Sequence, residues 1–165
     1  MFRYGPATKT TETRSVAARP HDRGLRLAAK RALKRPAVVF AMPQIQAVAD
    51  GFADYAGRSA VSVLACAILK DHMHLVVARH RLEPEQLVIQ FKSAATRRLA
   101  ESGLHPFAAE GRPAKCFARG EWKVFLDTEG EVRRAIRYVE ENPAKEGMSR
   151  QEWDFVGASL RRRAR

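Results

Sequence analysis

One feature constrains this chain more than any other: two apolar runs separated only by a pair of charged residues. Ala60–Leu69 is apolar on both alternations, interrupted only by Ser62, and carries several β-branched residues. A strand apolar on both faces is one that is buried on both sides. Lys70 and Asp71 make a short polar turn, and a second apolar run, His72–Ala78, follows at once. The two runs predict a β-hairpin.

Around the hairpin the apolar spacing changes to three and four, the period of a helix with one buried face. Leu25, Ala28, Ala29, Ala32 and Leu33 predict a helix from Asp22 that Pro36 stops. Pro43 opens a second, with Ile45, Val48, Ala49, Phe52 and Tyr55 inward and Gly57 as its stop. A third opens at Pro84 and Glu85, buries Leu87, Val88, Phe91, Ala94, Ala95 and Leu99, and runs to about Ser102 before Gly103. Residues 104–118, with Pro106, Gly111 and Pro113, read as a loop. Glu121–Asp127 alternates Trp122, Val124 and Leu126 against Lys123 and Phe125, which predicts a strand. Glu129 and Glu131 suit the start of a fourth helix, expected to end at Asn142 because Pro143 follows.

These elements predict an α+β fold, an antiparallel sheet flanked by helices. The 165 residues allow one domain and do not comfortably allow two. Residues 1–20 form a threonine-rich irregular arm, 21–157 the domain, and 158–165 a basic tail with Arg161, Arg162, Arg163 and Arg165. Lysine plus arginine is 30 against 18 acidic residues, a net charge of +12. An excess of that size favours an acidic partner, most commonly nucleic acid. Ala60–Leu69 is far short of the about 20 apolar residues that a bilayer span needs, and residues 1–18 lack the apolar stretch of a secretory signal. Cys66 and Cys116 are too few for a disulfide scaffold or a four-cysteine zinc site. The expectation is a cytoplasmic protein without a membrane partner, monomer and homodimer being equally compatible with the sequence.

The string that carries chemistry is Lys70-Asp71-His72-Met73-His74-Leu75-Val76-Val77. Side chains two apart on a strand share a side, so His72 and His74 present two imidazoles together while Met73 packs opposite. Two neutral imidazoles are two thirds of a metal site; two partly buried histidines bonded to their neighbours would show the same spacing. The fourth helix supplies a phenol and an amide. At 100° per residue Tyr138 and Asn142 lie about 40° apart on the border of its apolar face, Val132, Ala135, Ile136 and Val139. Taken singly, Tyr138 reads as an amphipathic side chain and Asn142 as a helix stop. If their flank faces the histidines, the set is His–His–Asn beside a tyrosine. That set suits Mg²⁺ or Mn²⁺ acting on a phosphodiester, with the phenol attacking phosphorus.

These residues resemble the HUH endonucleases, whose signature is a His–hydrophobic–His string, with a helical tyrosine about sixty residues downstream in their single-tyrosine transposases. The chain is most similar to the REP-associated tyrosine transposases. The likeness rests on His72-Met73-His74-Leu75-Val76-Val77, Phe91-Lys92-Ser93 with Thr96-Arg97-Arg98, Gly120-Glu121-Trp122-Lys123-Val124-Phe125, and Arg137-Tyr138-Val139-Glu140-Glu141-Asn142-Pro143. It spans roughly residues 24–156. The resemblance implies a ferredoxin-like variant of the α+β sheet and cleavage and rejoining of single-stranded DNA beside a hairpin. It implies a 5′-phosphotyrosine on Tyr138, metal ligands at His72, His74 and Asn142, and Mg²⁺ or Mn²⁺ as the ion. Such proteins usually begin with a strand ahead of the region matched. Nothing in residues 1–35 reads as that strand, so the sheet is expected to lack it. A non-catalytic DNA-hairpin binder and a hydrolase using water as nucleophile are the alternatives.

Lesser signals divide between binding and packing. Lys92, Arg97 and Arg98 on the third helix suit phosphate contacts or a solvated face alike. Trp122, Phe125 and Phe107 are aromatics able to stack on bases, although Trp122 in a strand better suits a core. Cys66 and Tyr55 read as core; Cys116, His21, His80 and His105 have no ligand partner near them in sequence.

Overall fold

The computed structural model describes residues 38–108, 115–118, 121 and 123–157. The N-terminal arm, the helix expected from Asp22, Trp122 and the arginines of the tail lie outside the described residues. The described elements are α1 (Met42–Ser59), β1 (Val63–Ile68), β2 (Met73–Val77), α2 (Pro84–Glu101) and α3 (Glu129–Lys145). Among these residues the chain is α+β, three helices on a two-stranded antiparallel sheet.

The hairpin explains its own apolarity. Ile68 stands opposite Met73, Ala67 opposite His74, Cys66 opposite Leu75, and Ala65 opposite Val76. Opposed residues share a face. Cys66, Ile68 and Met73 belong to one core cluster with Phe52 and Tyr55 of α1 and Leu87, Phe91 and Leu99 of α2. Ala65, Ala67 and Val76 belong to a second, with Val139 of α3 and, at its margin, Ala135 and Ile136. The hairpin therefore lies between α1 and α2 on one side and α3 on the other. Two alanines at Ala65 and Ala67 leave room for α3 to approach closely. The register slips between Val63 and Ala65, a bulge that adds Leu64 to the α3 side.

The helices join at a similarly close contact. A Cβ on Gly51 would come within 2.8 Å of the Ala94 carbonyl oxygen and the Ala95 Cα, so glycine is what lets α1 meet α2. Phe91 sits against both Phe52 and Tyr55 edge-on, with ring centroids 4.9 and 4.8 Å apart. At the start of α3 the Thr128 hydroxyl accepts from the Glu131 N–H at 3.2 Å, and the Glu131 carboxylate accepts from the Thr128 N–H at 3.0 Å. This reciprocal cap fixes where α3 begins.

β1 has its outer edge covered by the chain beyond α3. The Gln151 amide accepts from the Ile68 N–H at 2.9 Å and donates to the Ile68 carbonyl at 2.7 Å. At the other end Val156 bridges Val63 in parallel, and the Gly157 N–H donates to the Val63 carbonyl at 2.8 Å. No helix of the described residues is long and apolar enough to cross a membrane.

Four boundaries differ from the sequence reading. Glu121–Asp127 forms no strand in its described residues. Lys123 is drawn to Glu85 at the start of α2, and Val124 and Phe125 are exposed rather than paired into a sheet. α1 runs through Gly57, and its last turn closes at Ala60, which takes the left-handed conformation (φ 53°) and donates its N–H to the Ala56 carbonyl. His72 precedes the first residue of β2 instead of lying within it. α3 does not stop at Asn142 but carries Pro143 inside its last turn. A proline there costs the helix one N–H donor. The Asn142 amide adds a donor to the Tyr138 carbonyl at 2.7 Å, and the Glu146 N–H closes the turn on the Asn142 and Pro143 carbonyls.

Candidate functional site

The register that buries Ala67 beneath α3 puts His74 on the same face. Its imidazole is 2% exposed. The His72 ring lies 5.0 Å from it, centroid to centroid, at 86°. The Tyr138 ring lies 5.5 Å from it, at 85°. Strand and helix thus meet at His74, which touches both aromatic neighbours edge to face.

Neighbours fix the outer members of this row. His72 Nδ1 is 2.7 Å from Asp71 Oδ1, both side chains being largely buried. With Nδ1–H donating to the carboxylate, the Nε2 lone pair is the ring's open acceptor. Asn142, one turn beyond Tyr138, is buried at 6% exposure. Its Nδ2 donates to the Tyr138 carbonyl, which leaves Oδ1 as the accepting end. Tyr138 is 45% exposed, so its phenol combines a buried flank with access from solvent.

The structure brings His72, His74 and Tyr138 into ring contact and sets Asn142 on the adjacent turn of α3. Among the described residues no three His, Cys, Asp or Glu side chains gather as a metal nest, so an ion here would need the Asn142 amide as its third protein donor. Two imidazole nitrogens and an amide oxygen are donors that Mn²⁺ or Mg²⁺ accepts, with remaining positions for water or phosphate oxygen. The chemistry of the donor set therefore fits such an ion.

Lys92, Arg97 and Arg98 are not part of this group. They belong to α2, which packs on α1 in the other core cluster. Lys92 Nζ donates to the Ala118 carbonyl at 2.8 Å, and burial lowers its proton affinity against the opposing pull of Glu121. Arg98 lies 3.7 Å from Asp50 of α1, and Arg97 is exposed. Of the candidate stacking aromatics, Phe107 packs against the core while Phe125 is 64% exposed. Tyr55, Cys66 and Cys116 are buried; burial pushes both thiols up, Cys66 the further. His80 receives the Leu82 N–H, and buried His105 receives that of Phe107.

Two side chains at the site were not singled out from the sequence. In the sequence Asp71 reads only as a turn residue, although its place next to His72 is the signal. Lys145 lies with its ammonium 5.4 Å from the Tyr138 ring centroid and 2.9 Å from Glu141 Oε2. The hydrogen bond from Lys145, reinforced by its charge, holds the Glu141 carboxyl below the ordinary range. Its signal was the spacing of four from Glu141 and seven from Tyr138, which returns to the same helix flank.

The chain matches no family model, no curated protein and no solved structure.

Proposed function

We propose that this chain is a metal-dependent nuclease of the HUH type that cleaves and rejoins single-stranded DNA beside a hairpin, as the REP-associated tyrosine transposases do. The observation that carries the reading is the ring contact of His74 with both His72 and Tyr138, which joins the residues of the two motifs on which the resemblance most depends. The charge of +12 supplies the long-range attraction for a polyanion.

Tyr138 is the nucleophile in this reading. Its phenol oxygen forms the bond to phosphorus as the bond from phosphorus to the 3′-oxygen breaks. The phenol proton is lost, the departing oxygen gains one, and the products are a 5′-phosphotyrosine and a free 3′-hydroxyl. Attack by that hydroxyl, or by another, reverses the step and rejoins a strand. His72 and His74, with Asn142 Oδ1, would hold Mn²⁺ or Mg²⁺, which would polarise a non-bridging phosphate oxygen and offset developing charge. Asp71 holds the His72 ring in the tautomer that leaves Nε2 open, and the burial of His74 fixes its ring beside the phenol.

The test is covalent capture on a denaturing gel. The protein is incubated with labelled single-stranded hairpin DNA and Mn²⁺ or Mg²⁺, the substrate being sought among hairpin repeats flanking the gene. The expected result is a labelled protein band, abolished by Tyr138→Phe or by EDTA, while Tyr138→Phe still binds DNA. Cleavage that survives Tyr138→Phe without an adduct would make water the nucleophile. Binding with neither cleavage nor adduct would make the chain a hairpin binder.

A further inference from the structure

We propose that Lys145 is a phosphate-binding residue of the Tyr138 site and that Glu141 occupies its ammonium until a nucleic-acid phosphate displaces it. The proposal rests on the reading of Tyr138 as a residue that meets single-stranded DNA. Lys145 stands two turns beyond Tyr138 on α3, and its Nζ lies over the ring at 5.4 Å. A cation in the last turn of a helix is favoured by the helix dipole, which explains why a basic residue is tolerated there. It does not explain why the ammonium is folded back along the helix onto the one phenol that touches His74.

The partner is equally specific. Glu141 Oε2 accepts from Lys145 Nζ at 2.9 Å, and both side chains are about half exposed, at 51% and 55%. A pair that open to water is weak and exchangeable. The carboxylate presents to the ammonium the same anionic oxygens as a phosphodiester. Tyr138 is exposed and Lys145 Nζ lies over its ring, so a strand that brings phosphorus to Tyr138 brings its phosphate oxygens to Lys145. The anion's place is thus beside the phenol and against Lys145, with Glu141 as the group that leaves.

Salt dependence separates this role from a structural one. The probe is a fluorescent oligodeoxythymidylate of about 20 nucleotides, which carries phosphates and no hairpin, titrated with the full-length protein across a series of salt concentrations. Each phosphate contact to a single strand contributes about 0.7 to the slope of log affinity against log salt. Lys145→Gln is expected to reduce that slope by about 0.7 and weaken binding several-fold at low salt. Lys145→Arg is expected to keep it, and Glu141→Gln to tighten binding several-fold. An unchanged slope in Lys145→Gln, or no tightening in Glu141→Gln, would overturn the proposal. Covalent capture by the parent protein reports separately on Tyr138. An adduct with an unchanged Lys145→Gln slope leaves the nuclease reading standing and removes this one, as does a parent that forms the adduct yet binds no oligodeoxythymidylate at any salt.

Discussion

At His105 the chain buries an imidazole that has little reason to be there. The residue is 5% exposed, its Nδ1 accepts the Phe107 N–H at 3.2 Å, and its Nε2 has no hydrogen-bond partner among the described residues. Accepting at Nδ1 requires the neutral ring with its proton on Nε2. Burial lowers its proton affinity, as desolvation does for any cationic form. The sign of the consequence follows. The unfolded chain protonates His105 near pH 6.5, whereas the folded chain stays neutral to a lower pH. Between those two points the unfolded state binds more protons, so stability falls as pH falls. Protonation in place would also cost Phe107 its acceptor. Urea midpoints measured from pH 7.5 down to 5 are expected to decline in the parent and to decline less in His105→Asn, whose side-chain oxygen keeps an acceptor for Phe107 without titrating. The difference between the two profiles isolates His105 from the other histidines. Equal slopes would show that His105 charges as readily folded as unfolded. His74 is buried just as deeply but in different company, in ring contact with both His72 and Tyr138.

Elements were legible where burial dictated their period, and illegible where a single neighbour decided. The hairpin could be read because its runs are apolar on both alternations, and the structure buries both faces, one against α1 and α2 and one against α3. The pairing of Tyr138 with Asn142 followed from the period of a helix, whereas His72, expected within the strand, lies just before β2 and meets His74 through a ring contact that strand period does not supply. What the spacing left open was which helix would cover His74. Ala65 and Ala67 decide it by lying opposite Val76 and His74, and a register cannot be read from either strand alone. The alternation of Glu121–Asp127 misled because alternation makes a strand only beside another strand, and Lys123 instead pairs with Glu85. Pro143 misled because in the last turn a proline costs only its own N–H, and the Glu146 and Met148 N–H groups still close the helix on the Asn142 and Pro143 carbonyls. Gly57, expected to end α1, has open space about it, while Gly51, in the middle of the same helix, has none. Gly51→Ala would drive a methyl into the backbone of Ala94 and Ala95. Neither is the end of a flexible side chain, so the helices themselves must separate. Overpacking of this kind costs about 1–3 kcal/mol. The expected result is a lower urea midpoint by that amount, with Gly57→Ala unchanged or slightly stabilised because alanine is the better helix former. A neutral Gly51→Ala would mean that α1 and α2 slide apart freely.

Across the whole molecule the hairpin is covered on both faces, and the outer edge of β1 is closed by a side chain where a third strand would normally lie. A bare edge leaves N–H and C=O groups that pair with any strand they meet. Gln151 satisfies both groups of Ile68, which is itself fully buried, and the Gly157 N–H satisfies the Val63 carbonyl five residues back. The chain after α3 is thereby tied to the strand that leads into the histidine turn, and α3 is held at both ends, by the Thr128 cap and by this latch. Gln151→Ala removes the acceptor and the donor at Ile68 together. Leaving a buried backbone group unsatisfied costs about 1–3 kcal/mol, and the edge that was closed becomes available. The expected outcome is therefore double: a urea midpoint lowered by about that amount, and concentration-dependent self-association by light scattering that the parent does not show. Gln151→Glu divides the two contributions. Its carboxylate still accepts from the Ile68 N–H but offers the Ile68 carbonyl no proton at neutral pH, so it is expected to destabilise while continuing to block the edge. If Gln151→Ala melts with the parent and stays monodisperse at the same concentrations, then Val156 and Gly157 close the edge alone and the amide is incidental.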